Sequence, residues 1–153
     1  MNDTPDGITE TIEIEAPVSR VWRALTDHRE FGEWFRVKLD GPFEEGREST
    51  GNITYPGYEH VRWHAVVREI RPECLFSFTW HPYAIDPEVD YSGEEPTLVT
   101  FSLQPTDEGC LLTITESGFS KVPANRRLEA FRMNSGGWAE QVKNIAKHVT
   151  DHA

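Results

Sequence analysis

After Pro123 the side chains Leu128, Phe131, Trp138, Val142, Ile145 and Val149 recur at alternating steps of three and four, with Ser135 the one polar member of the series. That spacing predicts one stripe along a helix of about seven turns. The opposite face carries Glu129, Arg132, Glu140, Lys143 and Lys147, as a face turned to water should. A stripe of this length needs an apolar surface laid against it, and the preceding residues supply one. Phe76, Phe78 and Trp80, then Val99, Phe101 and Leu103, then Cys110, Leu112 and Ile114 alternate with polar residues. Period-two alternation puts each trio on one face of a strand, and a sheet with a single greasy face is an antiparallel one.

Upstream, Ile8, Ile12 and Ile14 fall on one face of an extended segment. Pro17 then opens a helix through Val18, Val21, Trp22 and Leu25 that Thr26-Asp27 stops, and a second short helix covers Arg29 to Phe35. Strands are predicted at about 48 to 54, 60 to 70, 74 to 81, 97 to 105 and 109 to 117, divided by turn residues. The expected fold is therefore α+β: a curved antiparallel sheet wrapped around a long C-terminal helix, with two short helices after the first strand. The segment Pro82 to Pro96 is long for a hairpin loop, and long loops in compact domains are often functional.

With 153 residues the chain has room for one core. A single domain over 1–153 is expected, with 1–7 as a flexible tail. A formal charge of -11 repels phosphate backbones and excludes nucleic acid as a partner. Nothing approaches the roughly 20 apolar residues of a membrane span, and residues 1–7 are neither basic nor apolar, so a cytoplasmic protein is expected. Cys74 and Cys110 stand alone, which suits reduced thiols and gives an iron-sulfur cluster no ligands. No Gly-x-Gly-x-x-Gly follows a strand, no phosphate loop or His-Glu-x-x-His occurs, and no Ser-His-Asp set can be assembled. No cofactor and no metal are therefore expected.

The residues Ala16 to Asp27, Phe31 with Trp34, Phe76-Ser77-Phe78-Thr79-Trp80, Glu116-Ser117-Gly118-Phe119 and Gly136-Gly137-Trp138 resemble the START-like superfamily. This superfamily, also called SRPBCC, includes the pollen allergens, and the match is to its branch related to the activator of heat-shock-chaperone ATPase. The resemblance covers nearly the whole chain. It implies the helix-grip fold with an apolar pocket between the sheet and the long helix. It also implies two functional alternatives, a cyclase or dehydrase and a co-chaperone-like interaction domain.

Face assignment names the expected ligand-binding residues. Trp34, Trp63, Phe76 and Phe78 come from one part of the chain, and Trp80, Phe101, Trp138 and Val142 complete the apolar lining. So many facing aromatics should leave a gap fit for a planar or apolar ligand. Ser135 either bonds a ligand or bonds back to its own helix. Glu116 has the inward parity of its strand. It either points into the pocket, where it would be the weak catalytic candidate for an acid or base, or lies at the rim paired with Arg126 or Arg127. Gly136 and Gly137 each cost a helix about 1 kcal/mol relative to Ala, so close approach to the sheet, a ligand or a bend should justify them. His81, Tyr83, Asp86 and Tyr91 are expected at the pocket mouth. The leading functional expectation is binding of an apolar or aromatic small molecule or lipid, without catalysis. Pairing into a homodimer through a sheet edge and contact with a chaperone are left open.

Overall fold

A computed structural model describes residues 5–152. The chain runs β1 (Gly7–Ile14), α1 (Val18–Thr26), α2 (His28–Phe35), β2 (Val37–Leu39), β3 (Glu48–Ile53), β4 (Arg62–Arg71), β5 (Leu75–Trp80), β6 (Thr97–Pro105), β7 (Cys110–Ser117), a 3-10 turn at Phe119–Lys121, and α3 (Ala124–Asp151). All seven strands pair antiparallel in the order β1-β7-β6-β5-β4-β3-β2. The first strand thus closes beside the last, and α1 and α2 carry the chain from one edge of the sheet to the other. The helix-grip arrangement expected from the sequence is the one observed.

Two short elements went unpredicted or shifted. β2 has only three residues, too few to show a period, and it pairs with β3 through Val37↔Ile53 to Leu39↔Gly51. The expected tail over 1–7 falls for residues 1–4 outside the described residues. Asp6 and Gly7 belong to the sheet side: Gly7 opposes Ser117, and the Asp6 carboxylate accepts from the Ser120 N–H and hydroxyl. Hydrogen-bonding groups within reach of an open strand edge hold them there.

The inward rows meet as predicted. Phe76 opposes Phe101, which opposes Ile114, and Phe78 opposes Val99, which opposes Glu116. All six side chains are fully buried. The buried line of α3 runs through Ala130, Trp138, Val142, Ile145 and Val149. Leu128, expected at its start, is 48% exposed. It stands two residues from Ala130, about 200° around the helix, and Ala130 is the residue that faces inward there.

Asp27 stops α1 and starts α2, its Oδ1 accepting from the Arg29 and Glu30 N–H groups. The three helices are then fastened through Glu30. Arg20 on α1 lies 2.8 Å from Glu30 Oε1, as a close ion pair rather than an aligned hydrogen bond, and Arg23 Nε donates to Oε2 at 2.8 Å. His148 Nε2 on α3 is 2.9 Å from Oε1. Burial pushes the Glu30 carboxyl up, but His148, Arg20 and Arg23 outweigh it and hold the group below its ordinary 4.5. A depressed carboxylate adds stability that is fully present above its unfolded value and is lost as pH falls through the lower folded one. The Glu30→Gln variant should therefore be less stable than wild type by about 1 kcal/mol above pH 5, with the gap closing in stronger acid. Denaturant melts across that range check this, and a gap independent of pH would refute it.

Candidate functional site

Glu116 is the residue around which the site is built. Strand parity turns it inward between Ile8 and Val99, and its side chain is wholly buried. Among the described residues no cation pairs with it. Instead its Oε1 accepts from Trp138 Nε1 at 2.8 Å and Asn134 Nδ2 at 2.9 Å, while Oε2 accepts from Trp80 Nε1 at 2.7 Å and from the Thr97 hydroxyl. Two oxygens with two donors each is the full capacity of a carboxylate. The donors come from β5, β6 and α3, so one side chain sets the height of the helix over the sheet. Neither placement open to Glu116 is the one found: it is inward and buried rather than at the rim, yet it does not line the cavity. Arg126 is engaged elsewhere, with Glu94, and the Arg127 Nε donates to the Val122 carbonyl.

Beside this carboxylate lies a cavity of about 720 Å³, within the usual range for small-molecule sites. Its aromatic wall is Phe35 at the end of α2, Trp63 on β4 and Trp80 on β5, with centroids 5.2 to 6.0 Å apart in edge-on and tilted contacts. Tyr55 and Tyr58 close one side from the segment after β3, and Tyr83, Ile85 and Tyr91 close another from the Pro82 to Pro96 loop. The helix side includes Met133, Asn134, Gly136, Gly137, Gln141 and Asn144, with Arg132 and Glu140 beside them. A Cβ built on Gly136 or Gly137 meets no atom within 4 Å, so neither glycine is needed for close approach to the sheet. Gly109 in the β6–β7 turn differs: a Cβ there would collide with the Ile14 carbonyl.

Of the expected lining, Trp63 and Trp80 border this cavity. Trp34, Phe76, Phe78, Phe101, Trp138 and Val142 lie in the core, none more than 6% exposed. They do not line it. The gap expected among them is filled because the rings interdigitate: Phe101 meets Trp34 at 6.3 Å and Trp138 at 5.8 Å edge-on, and stacks on Phe76 at 6.0 Å. Ser135 is half-buried and apart from the cavity. His81, Tyr83 and Tyr91 stand at the cavity as expected, whereas Asp86 does not line it. Tyr55, Tyr58 and Phe35 were not foreseen. Met133, Gln141 and Asn144 had a readable signal, since they lie one and two turns from the glycine pair on the same helix face.

The loop over the cavity is fastened to α3 at one point. Arg126 donates from Nε and a terminal nitrogen to the Glu94 carboxylate and from Nη1 to the Pro82 carbonyl at 2.7 Å, and its guanidinium lies 4.8 Å from the Tyr91 ring centre. Tyr83 next to that anchor has a left-handed backbone, φ 52°, which costs a side-chain-bearing residue about 1 kcal/mol. Burial pushes the Tyr83 phenol up, and Tyr58, Glu129 and Tyr91 add to the shift, so it remains a hydroxyl in the cavity at neutral pH. His81 Nε2 donates to the Glu94 carbonyl at 2.9 Å, leaving Nδ1 as the free ring nitrogen of the neutral form. Among the described residues no group of three or more His, Cys, Asp and Glu is placed to hold a metal ion, and no helix is long and apolar enough to cross a membrane.

The Glu116→Gln variant tests the centre of this arrangement. A glutamine amide turned to Thr97 must still set an N–H against the Trp80 N–H, and turned the other way it opposes the Trp138 N–H even when the Asn134 amide flips to accept. A loss of about 2 kcal/mol in unfolding free energy is expected. Glu116→Leu, which strands all four donors, should cost more. A neutral outcome for both in denaturant melts would show that the carboxylate is not the centre.

The sequence pattern of the family described as Activator of Hsp90 ATPase homolog 1-like protein matches residues 15–150. No curated protein matches the chain. Among solved structures, protein MLL2253 from Mesorhizobium loti superposes with a TM-score of 0.75 at 24% identity, over 96% of this chain and 98% of that one. DynU16, from the dynemicin biosynthetic locus, gives 0.73 at 21% identity, over 95% of this chain and 48% of its own. The Aha1 dimer from Colwellia psychrerythraea gives 0.69 at 16%, over 94% and 95%. At these identities the likeness is one of fold; the family match is what agrees with the branch indicated by the entry helix and the Gly136-Gly137-Trp138 motif.

Proposed function

This chain belongs to the family of Activator of Hsp90 ATPase homolog 1-like proteins, and we propose that it is a binding module for an apolar, aromatic small molecule held between α3 and the β4–β5 end of the sheet. The observation that carries this reading is the cavity itself. It is walled by Phe35, Trp63 and Trp80 and bordered on α3 by two glycines that no protein atom requires. Each glycine weakens an exposed helix by about 1 kcal/mol relative to Ala. The space they keep clear is what a bound ring system would fill.

Acid or base catalysis by Glu116 is not what the geometry favours. All four acceptor positions of the carboxylate are taken by protein donors, and the residue does not line the cavity. A chaperone contact rests on the family description and on no residue of the site, so binding is the reading preferred.

Nile red, a neutral apolar dye, supplies the test. It should bind with a saturating rise in fluorescence at one dye per chain and raise the melting temperature as its concentration passes the dissociation constant. Gly137→Ala should make the free protein about 1 kcal/mol more stable, whereas Gly137→Leu, which fills the space, should abolish dye binding while the protein stays folded. Dye binding equal in wild type and Gly137→Leu would place the site elsewhere and overturn the proposal.

A further inference from the structure

The orientation of the Asn134 amide says what kind of polar group the cavity expects. Asn134 Nδ2 lies 2.9 Å from Glu116 Oε1, and an acceptor-only carboxylate can be met there only by the NH2 end of the amide. Flipping the amide would set two oxygens face to face inside a buried site. Asn134 is half-buried and borders the cavity, and its Oδ1 has no partner among the described residues and is not sealed from solvent. The free end of the amide is therefore an acceptor.

The neighbouring walls offer no competing donor from their indoles. Trp63 Nε1 donates to Ser49 Oγ at 2.9 Å, and Trp80 Nε1 donates to Glu116. Both rings border the cavity with their N–H groups already committed to protein acceptors. An anionic group seated on Asn134 would meet an acceptor in front and the Glu116 carboxylate behind it. A group with no hydrogen would leave Oδ1 desolvated and unpaired.

Resting on the cavity reading above, we infer that the site selects an aromatic ligand bearing an uncharged hydrogen-bond donor, a phenolic hydroxyl or ring N–H, seated on the Asn134 carbonyl with its rings against Trp63 and Trp80. Asn134 is the specificity residue, and Glu116 acts through it by fixing which end of the amide faces the ligand.

Equilibrium dialysis of the full chain against 2-naphthol and 2-methoxynaphthalene tests this, because the two share a ring system and differ in the donor. Wild type should favour the naphthol about tenfold, the worth of one hydrogen bond in a desolvated site. In Asn134→Leu the ratio should fall to about one, with the ether's own affinity retained. Glu116→Gln, in which the Asn134 amide is free to flip, should lower the ratio as well. Equal binding of both probes by wild type overturns the donor requirement and leaves the cavity reading intact, a comparison that needs no variant to fold. An unchanged ratio in Asn134→Leu overturns the assignment to Asn134. Binding of neither probe overturns both readings together.

Discussion

A buried carboxyl group with no cationic partner among the described residues sits under the long helix, and the placement of everything above it follows from how its two oxygens are satisfied. An ionised group shut away from water is tolerable only where donors surround it. Glu116 obtains them from Trp80, Thr97, Asn134 and Trp138. These donors are not interchangeable with water, because β7 and α3 close over the site. An indole N–H can reach a fixed acceptor in few ring orientations, so satisfying Glu116 also orients two large rings. Trp138 is thereby committed to the core against Phe101, and Trp80 is held where it borders the cavity. The electrostatic requirement at one atom pair thus becomes a steric decision about where the aromatic layer is full and where it is open.

That division is drawn again along α3. One line of the helix, Ala130, Trp138, Val142, Ile145 and Val149, is buried. A second line, about one residue around, carries Met133, Gly137, Gln141 and Asn144 past the cavity. Asn134 lies between them and serves both, with its nitrogen on the core side and its oxygen on the open side. A larger residue at 136 or 137 would extend the packed layer over Trp63 and Trp80, and the helix itself would be stronger for it. The open end is therefore a matter of which side chains are withheld, at positions where the backbone tolerates any of them.

Periodicity made the packed part of this legible and the open part much less so. Strand parity gave Glu116 an inward side but left a place at the rim open, and the three-four stripe placed Trp138, Val142 and Ile145 on the buried face, because burial repeats along an element. Phe76, Phe78 and Phe101 were readable as inward but not as fully interdigitated, since edge-on packing depends on rotamers that alternation does not encode. Tyr55 and Tyr58 sit in an irregular segment where no period exists to assign them a side. The pairing of Arg126 with Glu94 spans 32 residues and a loop whose path only the fold determines. Leu128 failed for a narrower reason: it keeps the three-residue step to Phe131, and spacing alone does not tell that Ala130 takes the inward side at that end of the helix.

The two ends of the cavity are consequently held by different physics. At the Glu116 end the carboxyl group is fully buried among its donors, and any change of geometry strands a polar group, so this wall behaves as part of the core. At the loop end the closure rests on Arg126, whose guanidinium gathers the Glu94 carboxylate, the Pro82 carbonyl and the Tyr91 ring into one contact while Tyr83 beside it holds a left-handed backbone. An ion pair nearer the surface is weaker than a buried one, and it works here against local backbone strain. Opening at that end costs far less than opening at the other. A ring system entering from the loop side would therefore find its polar recognition already set at the far wall, with only the tyrosine-bearing loop left to move around it.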